Sequence, residues 1–465
     1  MRLALMTTSL VLPEAIANEL GTLARLNVET GAVLLARAVR CHQGDLRLLA
    51  VRLLPVPDSA YIRRESRSLR VTSDGYVPAL REAAESSTVP IWLHTHPGDG
   101  SSPCSSKYDD RVDVELADLF RLRSGSEFYG ALVLAPRDGR FTFTGHLDSG
   151  REKTRIDRIL TVGTRFALTC SYELESPGSP SPLFDRNIRA FGGEVQNVLS
   201  ELRIAVVGCG GTGSSVAEQL VRLGVRHLTL IDPDSLSESN VTRVYGSVSS
   251  DVGRPKVDLL AEHLLRIAPD ACVERVTAMV TNESVARRLT AADVIFGCTD
   301  DNAGRLVLSR LSSYFLVPVL DCGVLLTTNS AGQLDGIHGR VTVLYPGAAC
   351  LVCRNRIDLA RARTEQLNPT ERIRRVGEGY APALGATEPA VVAFTTLVGA
   401  AAVSELLERL IGYGPSPVPS EILLRVHERE ISTNEAAPNP RHYCNPSMGK
   451  LGLGVTVPFL EQTWN

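Results

Sequence analysis

The sharpest pattern along the chain is a short apolar run that breaks into glycines. Ile204-Ala-Val-Val207 carries no polar side chain, Gly208-Cys-Gly-Gly-Thr-Gly213 follows, and residues 214–223 place apolar positions at helical spacing until Gly224. This order predicts a buried parallel strand, a tight turn and a helix. His227-Leu-Thr-Leu-Ile-Asp232 predicts the next strand, ending in a carboxylate, and Asp293-Val-Ile-Phe-Gly297 a further one that runs into Asp300-Asp301-Asn302. A long helix at 389–410 and a last strand at 421–427 follow. In the N-terminal part the pattern predicts a helix at 13–26, strands at 29–39 and 46–54, a polar stretch to about 75 and a helix near 77–85. A strand from Val89 then ends at His94-Thr-His96-Pro97. Residues 151–182 finish in Ser-Pro-Gly-Ser-Pro-Ser-Pro and read as a linker. The expectation is an α/β protein in which an α+β domain (1–150) precedes a Rossmann-like, doubly wound α/β domain (183–465).

Length and charge narrow the function classes. A chain of 465 residues exceeds one ordinary core, and a formal net charge of −3 offers no basic surface for nucleic acid. No stretch is long and apolar enough for a bilayer, and the N-terminal apolar run is broken by Thr-Thr-Ser, unlike a signal peptide. A cytoplasmic location is expected, with no membrane and no nucleic-acid partner. The ten cysteines then read as reduced thiols or metal ligands.

The glycine turn is a candidate phosphate grip. Gly208 suits the tight turn, Gly210 and Gly211 let backbone approach a phosphate, and Gly213 permits close helix–strand packing. Asp232 falls where a ribose hydroxyl is held in such units. Asp234, Asn240, Arg243, Lys256 and Asp300 place acids and bases at successive strand ends around the turn. That arrangement suits ATP with Mg2+: the cations neutralise phosphates and Asp300 holds the metal. A glycine turn alone would also admit an NAD-dependent dehydrogenase.

The set resembles the ubiquitin-activating-enzyme superfamily, in particular its ThiF/MoeB-type adenylyltransferases of thiamine and molybdopterin synthesis, over residues 183–412. The resemblance implies that Asp232 binds ribose, that Asn240, Arg243 and Lys256 contact phosphates, and that Asp300 binds Mg2+. It further implies that Arg186, in Leu183-Phe-Asp-Arg186-Asn-Ile, reaches the ATP site of the second protomer of a homodimer. Cys350 and Cys353 form a Cys-x-x-Cys, and in these relatives two such pairs hold structural zinc. Here Cys444 and His442 stand where the second pair would be, so a Cys3His site and a metal-free loop are both open. The segment Val376–Thr387 lacks the cysteine of thioester-forming relatives, which leaves direct hand-over of the adenylate, or a thioester on Cys322, Cys350 or Cys353.

His94 and His96 lie one residue apart in an extended chain, so both imidazoles can face one ion. Ser106-Lys-Tyr-Asp109 adds a hydroxyl and a carboxylate. His94, His96 and Asp109 make three zinc ligands with a fourth position for water; Glu29 could take that water's proton and Ser106 could donate to an oxyanion. The pattern of upstream Glu, His-x-His-Pro and Ser-x-x-Asp resembles the JAB/JAMM (MPN) metalloprotease family, whose members cleave after the C-terminal glycine of ubiquitin-like proteins. The nine residues between His96 and Ser106 exceed the family's usual gap, which makes Asp110, and after it Asp99, alternative ligands.

Together the halves predict a bacterial processing and activating enzyme using ATP, Mg2+ and Zn2+. Its partners would be a ubiquitin-like or sulfur-carrier protein ending in glycine and, where conjugation follows, a conjugating enzyme. Sulfur transfer, or a zinc half that only docks the substrate, are the alternatives.

Overall fold

The computed structural model describes residues 7–98, 103–172, 182–377 and 389–464. Contacts divide the chain into two units, Met1–Gly178 with Gly452–Gly454, and Ser179–Leu451 with Val455–Asn465.

In the first unit the elements are β1 (Thr8–Pro13), α1 (Glu14–Ala24), β2 (Gly31–Arg40), β3 (Leu46–Pro55), β4 (Tyr61–Glu65), β5 (Ser68–Val71), α2 (Val77–Ser86), β6 (Val89–Thr95) and α3 (Lys107–Ser124). They continue as β7 (Tyr129–Arg137), β8 (Arg140–Asp148), β9 (Lys153–Arg155), β10 (Arg158–Val162) and β11 (Phe166–Cys170). Nine strands form one sheet in the order β11-β10-β1-β3-β2-β6-β7-β8-β9, and β4 pairs with β5 apart from it. The sheet is covered on both faces, and the period-two alternation of β2 divides its side chains between them. Ala32, Leu34 and Ala36 join a core with Leu20 and Ala24 of α1. Val33 and Leu35 join a second core with Leu80 of α2, Phe120 of α3 and Trp92.

Two expectations are corrected here. Residues 151–170 are not a linker: β10 lies between β1, to which it is parallel, and β11, to which it is antiparallel, and Ile159, Leu160 and Val162 are buried. The proline cluster from 176 onward is informative only about itself and lies partly outside the described residues. The polar stretch before residue 75 contains the β4–β5 hairpin, whose exposed charged positions masked its alternation.

The second unit holds α4 (Asp185–Glu201), β12 (Arg203–Val207), α5 (Gly211–Arg222), β13 (His227–Ile231), α6 (Glu238–Val241), α7 (Lys256–Ile267), β14 (Cys272–Val276), α8 (Glu283–Arg288), β15 (Val294–Gly297) and α9 (Asn302–Tyr314). After these come β16 (Val319–Thr328), β17 (Leu334–Leu344), α10 (Leu359–Glu365), α11 (Pro369–Gly377), α12 (Val392–Ile411), β18 (Glu421–Arg425) and β19 (Glu430–Asn434). The sheet order is β14-β13-β12-β15-β16-β17-β18-β19. Its first five strands are parallel, and from β16 onward the pairing is antiparallel. Strand β18 is not the last, because β19 completes a hairpin with it. β12 lies between β13 and β15, so the chain leaves the sheet's centre in two directions and opens a crevice at the carboxyl ends of β12 and β15. Among the described residues no helix is long and apolar enough to cross a membrane.

Candidate nucleotide and metal sites

The glycine turn closes over the carboxyl end of β12. Gly208 has φ +91°, and a Cβ there would stand 2.6 Å from the Cys298 carbonyl oxygen. A Cβ on Gly213 would stand 1.8 Å from the Gly208 oxygen, so the helix can start only against bare backbone. Gly210, the residue before α5, would meet nothing within 4 Å; Gly211 would meet Thr395 of α12 at 2.8 Å. The turn is therefore packed on one side and open at Gly210, where the unpaired amides of the α5 N-terminus gather.

Asp232 follows β13 and is nearly buried. One carboxylate oxygen accepts the Cys209 amide at 2.7 Å and the other the Asp234 amide at 2.8 Å. Lys256, the first residue of α7, places Nζ 2.7 Å from Asp234 Oδ2 and 3.9 Å from Asp232 Oδ1. Burial pushes the Asp232 carboxyl up, and the Lys256 ammonium pulls against it. Asn240 is buried and its Oδ1 takes the Ser237 amide at 3.4 Å, while Arg243 donates to the Ser239 carbonyl at 2.9 Å. Asp300 is exposed just beyond β15, and the neighbouring Asp301 caps α9. Arg186 is exposed near the start of α4. Sequence spacing singled out the carboxylate after β13 but not its bond to the Cys209 amide, since Cys209 carries that contact through backbone.

In the first unit His94, His96 and Asp109 offer ligand atoms that all lie within 4.8 Å of one another. His94 Nε2 is 3.2 Å from His96 Nε2, and Asp109 oxygens are 3.8 and 3.9 Å from the two rings. Burial pushes the His94 imidazole down to about 4, which leaves its lone pair available near neutrality. The Thr95 amide donates to the Thr30 carbonyl at 3.0 Å, extending the β2–β6 ladder beyond Gly31↔His94 and bringing Glu29 level with His96. Burial raises the Glu29 carboxyl, with His96 pulling it down and Asp109 pushing it up.

Ser106 caps α3: its hydroxyl accepts the Asp109 amide at 3.2 Å, and Asp109 Oδ2 accepts the Ser106 amide at 2.7 Å. The capping box fixes the rotation of α3 that turns Asp109 to the histidines. Asp110 instead accepts the Ser105 hydroxyl at 2.7 Å and stands outside the cluster; Asp99 lies outside the described residues. A cavity of about 720 Å³ adjoins the cluster, lined by Trp92, His94, Asp109, Val112, Val133 and Thr144 among others.

A second cluster gathers Cys350, Cys353, His442 and Cys444. Cys350 Sγ lies 3.3 Å from His442 Nδ1, Cys353 Sγ 3.6 Å from Cys444 Sγ, and His442 Nδ1 3.5 Å from Cys444 Sγ. The hydrogen bond from Cys444 holds the Cys350 thiol down to about 5 and pushes Cys444 up. Three soft sulfur donors and one imidazole in this compass fit a closed, tetrahedral zinc site. Cys350 and Cys353 are thereby committed to one another, and Cys322 is buried, which argues against all three as thioester nucleophiles. Residues 378–387 of the segment without a cysteine lie outside the described residues.

Residues 184–445 match the ThiF family. The molybdopterin-synthase adenylyltransferase of Escherichia coli (strain K12) is 28% identical over 240 residues, which cover 51% of this chain and 84% of that protein. The SAMP-activating enzyme E1 of Haloferax volcanii is 29% identical over 162 residues, covering 35% of this chain and 56% of that enzyme. The ATP-dependent ubiquitin transferase-like protein Cap2 of Enterobacter hormaechei is 36% identical over 124 residues, covering 26% and 20%. A crystal structure of E. coli MccB with ATP is 17% identical at TM-score 0.43, covering 57% of this chain and 75% of that one. The chain spans most of the first of these relatives and about half or less of the other two curated proteins.

Proposed function

The chain belongs to the ThiF family, and from that membership we propose that its second unit is an adenylyltransferase activating the C-terminal glycine of a ubiquitin-like or sulfur-carrier protein. The observation that carries this reading is the crevice at the carboxyl ends of β12 and β15: Gly210 is open after β12, Asp232 holds the Cys209 amide of the same turn and lies 3.9 Å from Lys256, and Asp300 follows the end of β15. A carboxylate oxygen of the glycine attacks the α-phosphorus of ATP. An acyl–O–P bond forms, the bond to the β-phosphate oxygen breaks, and pyrophosphate leaves. No general base is needed, because the carboxylate is already the nucleophile; the protein's task is positioning and charge stabilisation. Gly208, Gly210, Gly211 and Gly213 present backbone to phosphate, Asp232 takes ribose hydroxyls, and Asn240, Arg243 and Lys256 take phosphate charge. Asp234 holds Lys256 in place, Asp300 would hold Mg2+, which shields phosphate charge, and Arg186 completes the second site of a homodimer. The test is ATP–pyrophosphate exchange with glycine-ended candidate partners. Exchange should require the free glycine carboxylate and fall at least about tenfold in Asp300→Ala; no exchange with any partner overturns the reading.

The first unit, in the same proposal, is a JAB/JAMM-type zinc peptidase that trims the partner's precursor or releases it from conjugates. The His94, His96 and Asp109 donors fit zinc, which when bound supplies Lewis-acid polarisation of a carbonyl and a water of lowered pKa. Glu29, raised by burial, is suited to accept a proton and return it to the leaving amine. The Ser106 hydroxyl keeps its own hydrogen while capping α3 and can donate it to an oxyanion. Glu29→Gln is expected to lower cleavage of a glycine-linked extension by about a hundredfold while zinc content stays unchanged. Stoichiometric zinc without cleavage in the wild type would instead leave this unit as a docking module. The length of the match to the molybdopterin-synthase adenylyltransferase favours sulfur transfer as the second reading of the acyl-adenylate's fate; a thiocarboxylate product, rather than a conjugate formed with a conjugating enzyme, would mark it.

A further inference from the structure

The segment between β13 and α7 carries two of the residues assigned to phosphate, Asn240 and Arg243, yet its regular structure is the single turn α6, the 3-10 turn Ser249–Asp251 and the isolated bridge of Ser235 to Pro255. So short an element does not fix a long side chain by itself. Arg243 turns Nη1 onto the Ser239 carbonyl of its own helical turn at 2.9 Å, which uses one N–H of the guanidinium fork. Val244 is buried with Leu236 and Leu259 and anchors the segment from beneath. The next residue, Tyr245, sets the segment against the phosphate turn.

Tyr245 makes two hydrogen bonds, one from its backbone and one from its side chain. Its amide donates to the Ser214 hydroxyl oxygen at 3.1 Å, in the first turn of α5, and its own hydroxyl shares a hydrogen bond of 2.9 Å with the Thr396 hydroxyl of α12. Both partners lead back to the glycine turn. Ser214 donates its amide to the Gly210 carbonyl at 2.9 Å and its hydroxyl to the Gly211 carbonyl at 3.4 Å. Thr395, beside Thr396, is the residue that a Cβ on Gly211 would meet at 2.8 Å. The contacts therefore close a ring that runs from Gly211 through Ser214, Tyr245 and the start of α12 to Gly211 again, and Gly210 is bonded into it through Ser214. Arg243 stands two residues before the Tyr245 corner of this ring, so the ring sets how far its guanidinium lies from the open glycine.

We propose that Tyr245 is a positioning residue of the nucleotide site: through Ser214 and Thr396 it holds Arg243 ready for the β- and γ-phosphates of ATP and ties that grip to the N-terminal end of α12. This rests on the adenylation reading, in which Arg243 takes phosphate charge, and adds the residue that places the guanidinium. A guanidinium ordered in advance spares binding the cost of immobilising a long side chain. It acts on the phosphates that leave as pyrophosphate, so it favours ATP over AMP.

The test reads nucleotide affinity rather than turnover, so it stands apart from whether any partner is adenylated. Displacement of a fluorescent ATP analogue from the full chain, with Mg2+ present, gives the affinities of ATP and AMP. Tyr245→Phe keeps the ring and loses the hydroxyl; it should reduce the preference for ATP over AMP by about fivefold, the worth of one neutral hydrogen bond, with the affinity for AMP unchanged. Thr396→Val should do the same, and the double variant should be no worse than either. In the Arg243→Ala background Tyr245→Phe should cost nothing further, since its effect runs through the guanidinium. If Tyr245→Phe fails to fold, Thr396→Val leaves the tyrosine whole and carries the same readout. Equal losses for ATP and AMP, a preference unchanged in both variants, a loss that persists on top of Arg243→Ala, or a wild type that binds ATP no better than AMP overturns the proposal and leaves the two hydroxyls as a packing contact. The expected affinities without exchange for any partner would instead count against adenylation alone.

Discussion

Gly213→Ala is expected to abolish activity by unfolding the second unit, whereas Gly210→Ala, three residues earlier, should leave the fold intact and disable the nucleotide site. The added methyl of Gly213→Ala would lie 1.8 Å from the Gly208 oxygen and 3.3 Å from Cys298 Cβ, and neither backbone nor core can yield that distance. Overpacking of this severity costs about 3 kcal/mol or more. The methyl of Gly210→Ala meets nothing within 4 Å, and the residue's φ of −74° suits alanine, so stability should change by less than about 1 kcal/mol. The methyl nevertheless occupies the open side of the turn where phosphate is to lie against backbone. Thermal unfolding and ATP–pyrophosphate exchange should therefore separate: both lost in Gly213→Ala, only exchange lost in Gly210→Ala. Exchange preserved in Gly210→Ala would place the nucleotide elsewhere.

Removing the metal expected at Cys350, Cys353, His442 and Cys444 should lower stability more than any single surface change. The donors come from two segments about ninety positions apart in sequence, the Cys350–His442 pair being separated by 92. A bound ion would thus close a long loop and contribute its binding energy to folding. One equivalent of zinc per chain should be found with this cluster, beyond any held by His94, His96 and Asp109. Cys350→Ser or Cys444→Ser should lose that equivalent alone and lower the unfolding temperature, as should a strong chelator. Unchanged metal content in both variants would show that the four side chains pack without an ion. Glu29→Gln, which leaves both donor sets whole, is the matched control.

What the chain revealed before its structure was known depended on whether neighbours in space were neighbours in sequence. The strand–glycine–helix order at 203–222 and the strand ending at Asp232 are local patterns, and the structure has β12, α5 and β13 there. His94 and His96 are equally local, and the capping chemistry of Ser106 places Asp109, not Asp110, against them. The joining of β10 to β1 pairs residues some 150 positions apart, for which periodicity holds no signal. The same holds for Ser214, Tyr245 and Thr396: three ordinary polar residues become one chain of hydrogen bonds only when α5, α12 and the segment after α6 meet. The hairpin β4–β5 was hidden for another reason, since Arg63, Arg64, Arg67 and Arg70 give it a polar average while Leu69 and Val71 pack beneath.

The position of β10 bears on how the first unit can be dissected. Thr8 and Asp157 bind each other through backbone and side chain, Thr164 donates to Glu14, and Leu10, Val11 and Leu12 are wholly covered. A recombinant fragment ending at residue 150 would strip β10 and β11 from β1 and expose an edge that carries Leu10, Val11 and Leu12. Such an edge recruits other chains, so the truncated product should precipitate or self-associate, and a usable fragment has to extend at least through Ser171, whose amide closes onto Asp157.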